Sequence, residues 1–304
     1  MSLSVGFSIP AYENEKALRR CLESIHRVVP SAEHLVVVDD SGQGSLRAAL
    51  GISFPSVRWI THSENRGFGP SANEAVRANE AEIVILLNDD VELLENPLPI
   101  VLKAFENDQL FAASLRSVDG QGNFREGAKR LVWRFGYPRI LHNESDQLPS
   151  RKNIYPTSYA VGGHVAFHRG KFVELGGFDP LFEPFYWEDV DLSQRAIKKG
   201  WECTYSPECT VRHSEGSAIR SVNRAEFVKE ITERNRLIFA WRHATPSQRR
   251  LLNVTLPCKK VAAKLTLDTK FLHAVESARQ RWKEFTVTRP SSGLVPIPGA
   301  RVGQ

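Results

Sequence analysis

A chain of 304 residues with 41% hydrophobic and 25% charged side chains has a globular composition, which excludes whole-chain disorder, a collagen-like fibre and a small disulfide scaffold. The formal charge of +5 is uneven: residues 247–304 hold 11 Lys/Arg against 3 Asp/Glu, net +8, so residues 1–246 carry −3. With no broad cationic face and no helix-turn-helix, zinc-finger or RNP-like string, nucleic acid is not an expected partner.

The chain is expected to be cytoplasmic. Its four cysteines, Cys21, Cys203, Cys209 and Cys258, form no C-x-x-C pair and read as reduced thiols. The N-terminus lacks a basic stretch followed by an apolar run, and no 18-residue apolar stretch occurs, so neither export nor a membrane span is expected.

Alternation of Leu3, Val5, Phe7 and Ile9 predicts a first strand over 3–9, ended by Pro10. Leu18, Cys21, Leu22, Ile25, Val28 and Val29 recur at helical spacing, and that helix ends near Pro30. Leu35–Val38 reads as a strand covered on both faces, followed by a short helix with Leu46, Ala49 and Leu50. Val57–Ile60 is a third strand, Pro70–Asn79 a third helix and Ile83–Leu87 a fourth strand. From 110 to 160 the pattern loosens, and His142–Arg151 reads as a loop. Order returns with a strand over Tyr159–His168 interrupted by Gly162 and Gly163, a turn and helix near Lys171–Leu175, a helix over Val190–Lys199, and short strands at Cys203–Tyr205 and Thr210–Arg212.

The βαβαβαβ order up to residue 90 predicts a parallel sheet with helices on both faces and right-handed crossovers. Ligands bind beyond the carboxyl ends of such strands, here the loops at 10–14, 39–44 and 88–92. The first of these, IPAYEN, has no glycine, which disfavours NAD and FAD, and no G-x-x-x-x-G-K-[ST] string exists. Asn88, Asp89 and Asp90 follow the aliphatic strand directly and suit a hard divalent cation holding a diphosphate; the same residues are also ordinary turn formers.

Seven strings in order, IPAYEN, VVVDDSG, NRGFGPSAN, LLNDDV, VGGHVAFHRGKFVELGGFDPLF, FYWEDVDLSQRAIKKGW and VRHSEGS, resemble family-two glycosyltransferases of the GT-A fold, over roughly residues 3–240. The subgroup they look like transfers rhamnose, galactose or related sugars in cell-surface polysaccharide assembly. The resemblance implies an α/β GT-A domain over 1–245, with a mostly parallel central sheet flanked by helices. It also implies an inverting transfer from a nucleotide-diphosphate sugar to a glycan or lipid-linked acceptor, with Mn or Mg as cofactor.

Matched residue by residue, the resemblance gives Asp189 as catalytic base beside Glu188. It places Tyr12, with Pro10 and Glu13, and Asp40 on the nucleotide, Arg66 and Asn73 near the donor, and Asn88 and Asp89 near ribose and diphosphate. Asp90 and His213 fall on the metal, and Gly163, His164 and Trp187 on the acceptor or sugar. Glu13 intervenes where the family has Asn directly after Tyr, and Asn88 stands where its D-x-D begins. Each position also has a plainer reading: Tyr12 packing at a strand end, Glu188 and Asp189 favouring a helix N-terminus, Asp191 and His213 structural, Trp187 in a core. The same sheet in a sugar-nucleotide pyrophosphorylase would want a Gly-rich phosphate loop that IPAYEN does not supply, and a nucleotide-sugar-binding module without transfer remains the non-enzymatic alternative.

Residues 246–289 form a basic amphipathic extension in which Pro257 is expected to split two helices. Its segment 248–285 carries nine Lys/Arg among apolar residues, suiting peripheral contact with the inner face of a membrane; packing on the catalytic domain or in a homo-oligomer fits equally. Residues 290–304 are expected to be disordered.

Overall fold

The computed structural model describes residues 3–141, 150, 153–213 and 225–288; the expected loop His142–Arg151, nearly all of it, and the expected disordered tail lie outside the described residues. The chain runs β1 (Val5–Ala11), α1 (Glu15–Val28), β2 (Leu35–Asp39), α2 (Ser45–Leu50), β3 (Arg58–Thr61), α3 (Phe68–Ala78) and β4 (Ile83–Leu87). These strands pair in parallel in the order β3-β2-β1-β4, as short right-handed crossovers require.

The second half is mixed. It adds β5 (Val91–Leu93), α4 (Leu98–Ala104), β6 (Leu110–Val118), β7 (Phe124–Glu126), the hairpin β8 (Arg130–Arg134) and β9 (Tyr137–Leu141), and β10 (Tyr155–Pro156). Then come β11 (His164–His168), α5 (Arg169–Glu174), α6 (Glu188–Lys198) and β12 (Glu202–His213). Strand β11 inserts antiparallel between β4 and β6, β12 runs parallel to β6, and the full order is β10-β12-β6-β11-β4-β1-β2-β3.

Three cores hold this together, and β4 shows why its run of aliphatics is continuous. Ile83, Ile85 and Leu87 face a core shared with Leu18, Leu22 and Ile25 of α1 and with α4, while Val84 and Leu86 face Ala72, Val76, Phe167, Phe172 and Leu192 on the other side. All five are completely buried, each contributing roughly 1.5–3 kcal/mol relative to exposure. The third core joins Trp187, Phe182 and Tyr159 to the C-terminal helices α7 (Ala225–His243), α8 (Pro246–Leu265) and α9 (Thr269–Thr288) through Leu237, Phe239, Leu252, Val275 and Trp282. The basic extension therefore packs on the preceding part of the chain along one face.

Four local expectations are corrected. Pro10 lies inside β1: Phe7 donates toward β2, so alternate residues including Pro10 face β4, and pairing with β4 has already ended at Ser8. Tyr159–Gly163 is not strand, because Ala160 and Val161 donate their N–H groups to the hydroxyls of Ser193 and Ser114 and Gly162 donates to Asp189, leaving no ladder. The two short strands at 203–212 are one, with Pro207 absorbed in a register shift between Ser206 and Thr210. Pro257 does not split α8; it sits on the exposed side, where water can satisfy the Asn253 carbonyl that it frees, and the chain reverses instead at Leu267, whose φ is +56°.

Candidate active site

A cleft of about 800 Å³ opens at the carboxyl end of β4, bordered by Asn88, Gly162, Gly163, Trp187, Glu188, Asp189, Glu126 and His213. The tip of β4 is fixed by its neighbours. Asn88 donates its N–H to the Gly163 carbonyl (2.9 Å), and a Cβ on Gly163 would stand 2.6 Å from Asn88 Nδ2, so any other residue there displaces the Asn88 amide. Tyr12 donates its N–H to Asp89 Oδ2 (3.1 Å), tying the β1 tip to the β4 tip. Burial, reinforced by the Asp90 carboxylate, pushes the Asp89 carboxyl up to about 7 although the Tyr12 N–H draws it down. In the β1 turn, Glu13 takes a φ of +53° and Asn14 caps α1 by accepting the Ala17 N–H, which accounts for the one-residue offset of the asparagine.

Asp90 is 8% exposed and its Oδ1 lies 3.2 Å from Nε2 of His213, the last residue of β12. Glu126, at the end of β7, approaches His164 Nε2 at 3.2 Å and Lys129 Nζ at 3.6 Å. Against the burial that would raise it, the hydrogen bond and charge of His164, with Lys129, hold the Glu126 carboxyl well below its ordinary value. Asp90 Oδ2, both His213 ring nitrogens and His164 Nδ1 are buried without a hydrogen-bond partner. Such orphans are rare in native proteins, and carboxylate and imidazole donors at this spacing fit a divalent cation.

Across the cleft, Asp189 accepts the N–H groups of Val190 (2.8 Å) and Gly162 (3.3 Å) at the start of α6. Burial nevertheless pushes its carboxyl up to about 6, and burial with the adjacent Asp189 charge pushes Glu188 well above the usual carboxylate range. The helix start is anchored by Asp191, which is fully buried against His243 (2.7 Å) and Arg195 (2.8 Å). Although burial opposes it, Arg195, Arg242 and His243 hold Asp191 well below its ordinary value.

Asp189 and His213 both line the cleft, and Asp90, which does not line it, is joined to it through its contact with His213. Asn88, Gly163, Trp187 and Glu188 join them, while Pro10, Tyr12 and Glu13 stand one strand away behind Asp89. Four placements differ from expectation. Asn73 exchanges two hydrogen bonds with the backbone of Phe178 and bolts α3 in place, away from the cleft. Both Asp40 oxygens accept N–H groups, from Arg66 and Gly67, and one also bonds His62, so this carboxylate builds the 62–67 turn. The Arg66 guanidinium turns to Glu74 (3.0 Å). His164 is completely buried behind the cleft on Glu126 and does not border it.

Two contributors were missed. Asn235 of α7 shares its amide between the carbonyls of Phe182 (2.5 Å), Phe185 (2.9 Å) and Tyr186 (2.8 Å), and Arg234 bonds Glu183 O. These hold Tyr186 and Trp187 at φ of +70° and +74°, conformations costing roughly 1–3 kcal/mol each, directly before Glu188. A polar side chain on the Ile231–Ile238 stripe was the available signal. Glu126 gave none, because the three-residue β7 has no readable period.

A sequence profile described as glycosyl transferase family 2 matches residues 7–175. The putative polypeptide N-acetylgalactosaminyltransferase 10 of Drosophila melanogaster is 25% identical over 225 residues, 69% of this chain and 36% of the relative, so this chain spans about a third of that protein. The N-acetylglucosaminyl-diphospho-decaprenol L-rhamnosyltransferase of Mycobacterium tuberculosis is 24% identical over 64% of this chain and 71% of its own. Among solved structures, GalNAc-T7 with UDP, GalNAc and Mn2+ overlaps 75% of this chain and 48% of that one (TM-score 0.58, 16% identity). The mannosyltransferase PcManGT of Pyrobaculum calidifontis with GDP-Man and Mn2+ overlaps 97% and 77% (TM-score 0.56, 16% identity). These overlaps show the GT-A fold. With the profile covering more than half of its length, the chain belongs to glycosyl transferase family 2.

Proposed function

We propose that the chain is an inverting glycosyltransferase that moves a sugar from a nucleotide-diphosphate donor to a hydroxyl of a glycan or lipid-linked acceptor in cell-surface polysaccharide assembly. One observation carries the reading: Asp189, its carboxyl raised by burial, borders the same cleft as Asn88 and His213, and His213 in turn contacts Asp90. The mycobacterial relative, named for rhamnosyl transfer to a lipid diphosphate, and two structural neighbours holding nucleotides with Mn2+ support it.

In this reading Asp189 takes the acceptor proton as the hydroxyl oxygen bonds to the anomeric carbon, while the bond from that carbon to the diphosphate oxygen breaks on the opposite face. General-base assistance of this kind contributes ~10²–10⁴-fold. Glu188 stands beside it on the cleft wall. Tyr12, Pro10 and Glu13 form the nucleotide end behind Asp89, and Tyr186 and Trp187 with Thr232 of α7 form the acceptor end. Asp90 and His213 would hold a divalent cation, Mn2+ or Mg2+, which when bound neutralises charge on the departing diphosphate.

Membrane contact belongs to the same proposal, at the cytoplasmic face. No helix among the described residues is long and apolar enough to cross a membrane. Leu251, Val254, Cys258, Val261 and Leu265 nonetheless form an exposed stripe on α8 beside Arg250 and Lys264, a pattern that suits an anionic lipid surface presenting a lipid-linked acceptor.

The reading is tested by screening nucleotide sugars for thermal stabilisation with and without Mn2+, followed by the anomeric configuration of the product. Failure of every nucleotide sugar to stabilise the chain ends it; stabilisation without hydrolysis or transfer leaves a binding module.

A further inference from the structure

We propose that Glu126 and His164 join His213 as cation ligands, with Asp90 beside His213, giving a shell of at least three protein side chains that loads a divalent transition metal before any nucleotide arrives. The inference rests on the metal-assisted reading above and deepens it. A site supplying one or two protein ligands depends on the substrate's phosphates to complete its shell, whereas a shell of three or more depends on them less.

The geometry comes from three strand ends and the β4 tip. Glu126 closes β7, His164 opens β11 and His213 closes β12, and one ligand atom from each lies within 4.8 Å of the other two. Asp90 Oδ1 already stands 3.2 Å from His213 Nε2, the separation of adjacent ligands each about 2.1 Å from a shared ion. The two imidazole rings are 6.1 Å apart between centroids and near-perpendicular at 73°, so they do not stack.

A purely structural role for these groups does not account for their orphaned atoms. Pairing Glu126 with His164 satisfies one nitrogen of His164, and the Asp90 contact occupies His213 Nε2, which leaves His164 Nδ1, His213 Nδ1 and Asp90 Oδ2 without hydrogen-bond partners, in residues at most 8% exposed. Lys129, near Glu126 Oε1, sits on the oxygen other than the one facing His164, which leaves Oε2 on the His164 side.

Donor chemistry sets the preference among ions. Two imidazole nitrogens with carboxylate oxygens suit Mn2+, Co2+ or Zn2+, whereas Mg2+ demands octahedral oxygen and keeps its waters. The chain should therefore retain Mn2+ in the presence of excess Mg2+ with no nucleotide present.

The test is titration of the full chain with Mn2+ alone, read by the loss of the free-ion paramagnetic resonance signal, and with Co2+, read by its visible absorption. Wild type is expected to bind one ion without nucleotide. His164→Gln and Glu126→Gln should each weaken binding by ~10-fold or more and shift the Co2+ spectrum, with thermal melts of the metal-free proteins confirming that the variants fold. Wild type that binds no Mn2+ without nucleotide, or folded variants that bind as wild type does, overturns the proposal. Donor binding is measured separately. Donor turnover by a chain that binds no free Mn2+ defeats this shell and leaves the transferase standing, while Mn2+ binding without response to any nucleotide sugar does the reverse.

Discussion

Asn235 Nδ2 lies 2.8 Å from the carbonyl oxygen of Tyr186, two residues before Glu188, so a single amide on α7 fixes the loop that delivers the acidic pair to the cleft. Asn235→Ala would strand three buried carbonyls and release two left-handed residues. A loss of roughly 2–4 kcal/mol in denaturant unfolding is expected, together with a fall in kcat larger than any change in donor KM. Stability and kinetics indistinguishable from wild type would show that the loop holds itself.

Asp189 must be ionised to accept a proton, so kcat/KM is expected to fall with unit slope as pH drops through about 6. Asp189→Asn should remove ~10²-fold or more of transfer while donor-induced thermal stabilisation persists. Near wild-type turnover by this variant defeats the assignment.

The same group has an opposite effect on folding. Because its carboxyl is raised, the native chain holds a proton that the unfolded chain releases near pH 4, so stability declines as pH rises from about 4 through about 6 and the penalty is full above that. Asp189→Asn should thus be more stable than wild type at pH 7.5, by roughly 1–3 kcal/mol, with the gap closing toward pH 4. Melting curves across that range check the sign.

Gly163→Ala forces a methyl group to 2.6 Å from Asn88 Nδ2. The displaced amide should raise donor KM and lower stability by roughly 1–3 kcal/mol. Calorimetric titration with donor reads the first effect, and a melt reads the second.

Replacing Leu251, Val254 and Val261 by Gln removes the apolar stripe without touching the buried Leu252 and Leu256. Wild type should sediment with anionic vesicles and not with neutral ones, and the triple variant with neither. If these substitutions instead dissociate a dimer in vesicle-free solution, the stripe is an interface between copies.

The parallel half of the sheet was legible because β2 and β4 are unbroken aliphatic runs between polar turns, a pattern only a doubly covered strand tolerates. Asp189 and His213 were legible through their strings, and their meeting at the cleft followed from strand order. Asn73 was not, because its partner Phe178 is 105 residues away and the same amide suits a ligand or a backbone. Tyr159–Val161 misled for a related reason: its apolar residues fit a strand, but the hydroxyls that capture its N–H groups come from Ser114 and Ser193, whose proximity no local pattern encodes.

The segregation of the cores carries a consequence for divergence. In the proposed reading the nucleotide end rests on the two cores flanking β4, whereas the aromatic wall of Tyr186 and Trp187 rests on Leu237, Leu252, Val275 and Trp282 of the C-terminal helices. On that reading, a chimaera exchanging everything after Ala225 is expected to change acceptor preference and to leave donor affinity as it was.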